Sequence, residues 1–230
     1  MERQVAEGFD VPVRKTRRHW FGGSLIPKKP AFAAELEPLQ KVYGSGVTFD
    51  LKLTEKKGDF VADVELPNMP EGRYPEPVYC ERDCMILTAF VRNDRAGHHM
   101  PTGDPERHIE ILVEARDAGG NLLARAYQSL GSRYTWWPTI ELIRDTRLPA
   151  GKTLELPLSI PLRGSSAASE NMWPITIQIT ADKWRMYQDA FEHHDLEGRY
   201  VRGRRFYEAT WQLAKDGSLT LVNKIDDGAQ

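Results

Sequence analysis

The chain has only two cysteines among its 230 residues, no long apolar run and almost no excess of one charge. No apolar segment approaches the roughly 20 residues that a membrane-spanning helix needs. The N-terminus also lacks the apolar centre of a signal peptide, so we expect a chain that is cytosolic, processed, or cut from a longer protein. A net charge of −2 argues against a nucleic-acid partner.

Common catalytic motifs are missing as well. There is no G-x-S-x-G segment that would present a nucleophilic serine. The two glycine pairs, at 22–23 and 119–120, lack the lysine or helix that a phosphate-binding loop requires. Acidic residues are scattered rather than paired. The sequence therefore predicts a non-catalytic role.

The two cysteines, Cys80 and Cys84, stand four positions apart. Fully extended, four residue steps span about 13 Å, whereas bridged Cα atoms lie within roughly 7 Å of each other. The intervening Glu81-Arg82-Asp83 suits a turn, which would bring the thiols together. A local disulfide is predicted, with free thiols or a Cu(I) site as alternatives.

Alternation of apolar and polar residues predicts many short strands. The candidate segments are 47–53, 60–66, 85–91, 108–115, 122–127, 154–160, 175–180, 207–213 and 218–222. Hairpin turns are predicted at 55–59 and 117–121. A short helix is predicted over 183–194, and Pro38 should interrupt any helical turns in 32–43.

At least seven such strands with little helix predict a mainly β fold, an antiparallel β-sandwich of the immunoglobulin-like kind. The predicted organisation is an irregular lead-in over residues 1–46, followed by a β-sandwich domain over 47–230. The aromatic pair Trp136-Trp137 is expected to pack between the sheets, with a partner or carbohydrate surface as the alternative.

The connection between the predicted strands 85–91 and 108–115 reads N-D-R-A-G-H-H-M-P-T-G from Asn93 to Gly103. It is longer than a hairpin needs, and it carries His98, His99 and Met100, whose side chains can bind soft or borderline metals. Neighbouring residues of an extended chain point to opposite sides, so His99 should point away from His98. A copper site would combine His98, Met100 and His108. The alternatives are a solvated loop or a hydrogen-bonding role for His98. His193 and His194 are expected at a solvated helix end, with a metal or haem contact as the alternative.

Three motifs occur in an order that resembles a known family. They are His19-Trp-Phe-Gly-Gly23, the segment Asn93–Gly103, and Asp145-Thr-Arg-Leu-Pro-Ala-Gly-Lys152. Over roughly residues 19–185, this order resembles the C-terminal, haem-free β-domain of multihaem c-type cytochromes. The resemblance implies an extracytoplasmic location and a haem-bearing cytochrome domain or subunit as the partner. It also implies His19 and His98 as candidate axial ligands of a haem.

The chain departs from that family in one important respect. It contains no C-x-x-C-H motif, so it has no usual site for covalent attachment of haem c. Any haem would belong to a partner domain or chain. The function predicted first is an accessory domain or subunit of an electron-transfer system, and whether the chain is a fragment or a complete subunit is left open. The alternatives are a free-standing extracytoplasmic copper protein and a structural sandwich with no ligand.

Overall fold

The computed structural model describes residues 25–43, 46–57, 84–135, 137–162 and 172–226. Their strands form two antiparallel sheets, which confirms the predicted mainly β sandwich. In chain order, the elements are a 3-10 turn at Pro30–Phe32, α1 at Ala33–Tyr43, β1 at Thr48–Lys57, β2 at Cys84–Arg92, β3 at His108–Arg116, β4 at Leu122–Thr135, β5 at Glu141–Asp145, β6 at Thr153–Pro161, β7 at Ile175–Trp184, α2 at Gln188–His193, β8 at Gly203–Leu213 and β9 at Leu219–Asp226. None of the helices in these ranges has the length and apolar character to span a bilayer.

The smaller sheet has the order β1-β2-β6, and the larger one has the order β5-β4-β3-β7-β8-β9. The core lies between them because strands of both sheets turn alternate apolar side chains inward. The inward residues include Leu87, Ala89, Val91, Leu156, Leu158 and Ile160 from the smaller sheet, and Ile109, Ile111, Val113, Ile175, Ile177 and Ile179 from the larger one. Burial of each isoleucine side chain contributes about 1.5–3 kcal/mol to the stability of the fold. The alternating apolar residues therefore supply much of the free energy that holds the two sheets together.

The predicted irregular lead-in contains α1, which follows the 3-10 turn. Pro38 lies inside α1 without ending it. The missing N–H of Pro38 leaves the carbonyl of Ala34 without a helical partner, but both residues are exposed, so water can replace that bond. The predicted interruption is therefore wrong.

Residues 25–43 pack on the connection between β7 and β8. The Arg185 Nη2 donates to the Ile26 carbonyl at 2.8 Å, and the Val201 amide donates to the Lys28 carbonyl at 3.2 Å. Two hydrogen bonds from one connection thus hold the start of the described chain against the larger sheet.

The helix predicted over 183–194 is wrong for its first half. β7 continues through Trp184, which pairs with His108 on one side and Gly203 on the other, and only Gln188–His193 is helical. The apolar spacing that suggested a helix belongs instead to side chains that cover the outer face of the sheet.

Two other local predictions also change. The hairpin turn predicted at 55–59 does not begin at Glu55. A bulge after Leu53 shifts the register of β1, and its pairing with β2 continues to Lys57, which lies opposite Cys84. The predicted strand 60–66 lies outside the described residues. Trp137 is not buried between the sheets as predicted, because 87% of it is exposed, and its predicted partner Trp136 lies outside the described residues. Trp137 precedes β5 at the edge of the larger sheet.

Candidate functional site

The loop from Asn93 to Gly103 is held by a buried asparagine. Asn93 follows β2 directly and is 0% exposed. Its Nδ2 donates to the carbonyl of His98 at 2.8 Å and to the carbonyl of Leu148 at 2.9 Å. One amide group therefore closes the loop and ties it to the connection between β5 and β6.

A second tie follows at Met100. The amide of Met100 donates to the Leu148 carbonyl at 2.9 Å, and the Leu148 amide donates back to the Met100 carbonyl at 2.8 Å. The Met100 side chain packs on the core and lies against Gly46, where a Cβ would come within 3.2 Å of the Met100 Cε. Met100 thus fixes the loop by packing as well as by hydrogen bonds.

His98 lies between these two anchors with an exposed side chain. Its Nδ1 lies 2.9 Å from the carbonyl oxygen of His99. Because a carbonyl oxygen can only accept, Nδ1 carries the proton, and in the neutral ring Nε2 carries the lone pair. Metal-binding histidines have the same arrangement, in which one ring nitrogen is held by a backbone carbonyl and the other is left to the metal.

His99 is exposed as well, and it lies near an ion pair on the β5–β6 connection. Arg147 Nε donates to Asp145 Oδ1 at 2.8 Å. This bond, aided by the charges of Arg147 and His99, lowers the pKa of Asp145 to about 2. The Asp145 carboxylate therefore stays charged at neutral pH, close enough to His99 for their charges to interact.

His108, the first residue of β3, occupies a different environment and is 2% exposed. Its Nδ1 donates to the Glu106 carbonyl at 3.1 Å, and its Nε2 lies 3.7 Å from Glu110 Oε1. The ring stacks on Tyr187 with centroids 4.3 Å apart and planes at 7°. Both ring nitrogens thus face groups of the chain itself.

Trp184 extends this cluster on β7. Its Nε1 donates to Glu110 Oε2 at 2.7 Å, and the guanidinium of Arg202 lies 3.8 Å from its ring centre. Gly203 on β8 makes room for the indole ring, because a Cβ there would come within 2.0 Å of Trp184 Cε3. The cluster covers the outer face of the larger sheet at the end where the Asn93–Gly103 loop enters it.

Two arginines face each other on the same face of that sheet. Arg133 on β4 is directly opposite Arg144 on β5. Burial lowers the pKa of Arg144, and the positive charge of Arg133 lowers it further. Tyr187 and Tyr127 act in the opposite direction and raise it. Sequence patterns did not indicate this pair, since β5 has no clear alternation of apolar and polar residues.

The structure does not assemble all of the predicted ligands. His98 is exposed, Met100 is packed on the core, and His108 is buried below Tyr187. Within the described ranges, no three or more His, Cys, Asp or Glu side chains are grouped so that they could hold a metal ion. The copper site of His98, Met100 and His108 stays a prediction.

Other predicted site residues fall partly outside the described ranges. His19 and Cys80 lie outside them, whereas Cys84 is buried and disulfide-bonded. The Cys80–Cys84 pairing and the ligand role of His19 stay predictions. His193 ends α2, and His193 and His194 are exposed, which confirms the solvated helix end.

Asn93 and Gly203 are the structural residues that sequence reasoning did not single out. Asn93 was visible only as the first letter of the loop motif. Its role depends on Leu148, 55 positions later, and no local pattern indicates such a contact. Gly203 is one of 18 glycines, and only the position of Trp184 on the neighbouring strand gives it a role.

No family model and no curated protein matches the sequence. Among solved structures, the chain is similar to a penta-heme cytochrome c552 from Thermochromatium tepidum, with 18% sequence identity and a TM-score of 0.46. The match covers 83% of this chain and 40% of that chain, so this chain spans less than half the length of that structure. Similarity at this level supports no conclusion about function.

Proposed function

We propose that the chain is a non-catalytic β-sandwich domain or subunit of an extracytoplasmic multihaem cytochrome electron-transfer system. It packs on a haem-bearing domain or chain and offers His98 as an axial ligand to a haem c held there. The observation that carries the proposal is the state of the His98 ring, which is exposed and has Nδ1 bonded to the His99 carbonyl. In the neutral ring, Nε2 is left with a lone pair that can bind a ligand.

The surroundings of His98 suit an axial ligand. The hydrogen bond at Nδ1 fixes the ring orientation and increases the basicity of Nε2. The anchors at Asn93 and Met100 hold the backbone on both sides of the ring, so little ordering is needed on binding. A haem supplies one-electron chemistry whose potential depends on its axial ligand and on burial. This chain would contribute the ligand and exclude water.

Two further observations support the same assignment. The segment Asn93–Gly103 resembles the central motif of the haem-free β-domains, and that resemblance implies His98 as the family position. Cys84 is disulfide-bonded, as expected of a protein in an oxidising, extracytoplasmic compartment. His19 is a second candidate ligand on the basis of the resemblance alone.

The proposal is tested by titrating the full chain with a short haem c peptide that has one open axial position. Visible absorption and electron paramagnetic resonance report the change from high-spin to low-spin iron when an imidazole binds. We expect low-spin conversion with the natural chain and at least a tenfold weaker apparent affinity with His98→Ala. His99→Ala is the matched control, because His99 is equally exposed and adjacent, and it should bind like the natural chain.

Two outcomes would overturn the axial-ligand role. One is the absence of low-spin conversion at millimolar chain. The other is an equal loss in His98→Ala and His99→Ala, which would mean that any surface imidazole binds the peptide. Circular dichroism of each variant verifies that the sandwich is intact.

A further inference from the structure

We propose that Arg133 and Arg144 form an anion-binding site that takes a carboxylate or phosphate group. The site lies on the outer face of the larger sheet, where β5 pairs with β4. It is separate from the His98 ring and does not depend on a haem contact. The ligand is defined by its chemistry, an oxyanion that can accept hydrogen bonds from two guanidinium groups at once.

The geometry of the pair is fixed by the strand register. Arg133 and Arg144 are Cα partners across β4 and β5. Residues directly opposite each other in an antiparallel pair have side chains on the same face, with Cβ atoms about 4.5–5.5 Å apart. Like charges on directly opposite residues destabilise the strand pair, unless an anion between them reverses the interaction.

Several other arginines of the same sheet have acidic partners. Arg125 donates to Glu114 through Nε at 2.7 Å, and Arg205 donates to Asp182 at 3.0 Å. Arg133 and Arg144 differ, because neither guanidinium forms a salt bridge or hydrogen bond with a side chain in the part of the chain that the structure describes. Their positive charge is therefore not neutralised within that part of the chain.

Tyr187 lies near both arginines, and Glu106 and Glu110 are also near it, so an anion must bind against these two carboxylates. Arg144 is half-buried, whereas Arg133 is exposed, so one guanidinium is shielded from water and the other is accessible to a ligand. Tyr187 and Tyr127 lie close enough to Arg144 to influence its charge. Burial raises the pKa of Tyr187, so its hydroxyl stays protonated and can donate a hydrogen bond. Charge-assisted bonds from arginine to carboxylate or phosphate are among the stronger hydrogen bonds in proteins.

The test measures thermal unfolding of the full chain in increasing inorganic phosphate, and separately in increasing succinate. Sodium chloride keeps the ionic strength constant, so general screening does not change. We expect the midpoint temperature to rise with the logarithm of the concentration of the anion that binds. The rise should be absent in the double variant Arg133→Gln/Arg144→Gln. Isothermal titration calorimetry should show at least a tenfold weaker affinity for Arg133→Gln alone.

Arg199→Gln is the matched control. It removes the same charge from an exposed arginine that already pairs with Asp195, and it should keep the full response. Because Arg133 is exposed, Arg133→Gln should fold even if replacement of Arg144 prevents folding. A stronger response to succinate identifies a carboxylate ligand, and a stronger response to phosphate identifies a phosphate ligand. The site is wrong if neither anion raises the midpoint of the natural chain, or if Arg133→Gln responds like Arg199→Gln.

Discussion

At the scale of single residues, the histidines show how environment separates one side chain type into different roles. His98 and His108 both use Nδ1 to donate to a backbone carbonyl. His98 leaves Nε2 at the surface, whereas the His108 ring is enclosed by Tyr187 and directs Nε2 towards Glu110. The sequence motif draws attention to the loop, but burial decides which of its neighbouring histidines is accessible to an external ligand.

Asn93 provides a prediction at the same scale. Replacement by alanine removes the Nδ2 group that donates to two carbonyls, those of His98 and Leu148. Loss of two buried hydrogen bonds should lower the free energy of unfolding by about 2–4 kcal/mol. Urea denaturation measures this change. Asn223→Ala, at an exposed position of β9, should change it by less than about 0.5 kcal/mol. A similar small effect for Asn93→Ala would mean that the loop is held by its backbone alone.

At the scale of elements, strands were predictable where one face is buried. The segments 85–91, 108–115, 154–160 and 175–180 alternate clearly, and each became part of a strand. Prediction failed where a contact with a distant element decides the structure. The residues of β5 are mostly exposed, so burial imposes no alternating pattern on them. Trp184 remains in β7 because Gly203 on the neighbouring β8 leaves space for its ring.

Gly203 tests that explanation directly. In Gly203→Ala, the new Cβ would lie 2.0 Å from Trp184 Cε3 and 2.7 Å from the Lys183 carbonyl. The backbone contact cannot be relieved by a side-chain rotation, so β7 and β8 must move apart locally. Overpacking of this kind should destabilise the fold by roughly 3 kcal/mol. Thermal or urea unfolding measures the change, and near-ultraviolet circular dichroism reports the altered surroundings of Trp184.

Gly97→Ala is the matched control for this variant. A Cβ at Gly97 meets nothing within 4 Å, so the stability of the fold should remain within about 0.5 kcal/mol of the natural value. If Gly203→Ala were equally harmless, the close approach of Trp184 to β8 would not be what keeps residues 183–184 in the strand.

At the scale of the whole molecule, segments that are far apart in the chain contact each other at one end of the sandwich. The Asn93–Gly103 loop meets the β5–β6 connection through Leu148, and the β7–β8 connection meets the segment 25–43 through Arg185 and Val201. None of these contacts has a local sequence signature, because each joins residues far apart in the chain. The periodic interior was predictable, whereas the contacts between the connections at this end, which include the loop that carries His98, were not.

Arg185 tests how the lead-in is attached to the rest of the molecule. Arg185→Met keeps an aliphatic stem but removes the donor to the Ile26 carbonyl, a 2.8 Å bond. A hydrogen bond from a charged group contributes about 1.5–3 kcal/mol, so local detachment of residues 25–43 should become roughly 10 to 100 times more frequent. Hydrogen exchange at the Val201 amide, which donates to the Lys28 carbonyl, measures that opening. Exchange should accelerate there and remain unchanged at amides of the β3–β7 ladder.

The matched control Arg199→Met alters an exposed ion pair of the same connection and should leave Val201 protected. Equal acceleration in both variants would mean that the β7–β8 connection itself opens, and that Arg185 does not specifically hold the lead-in.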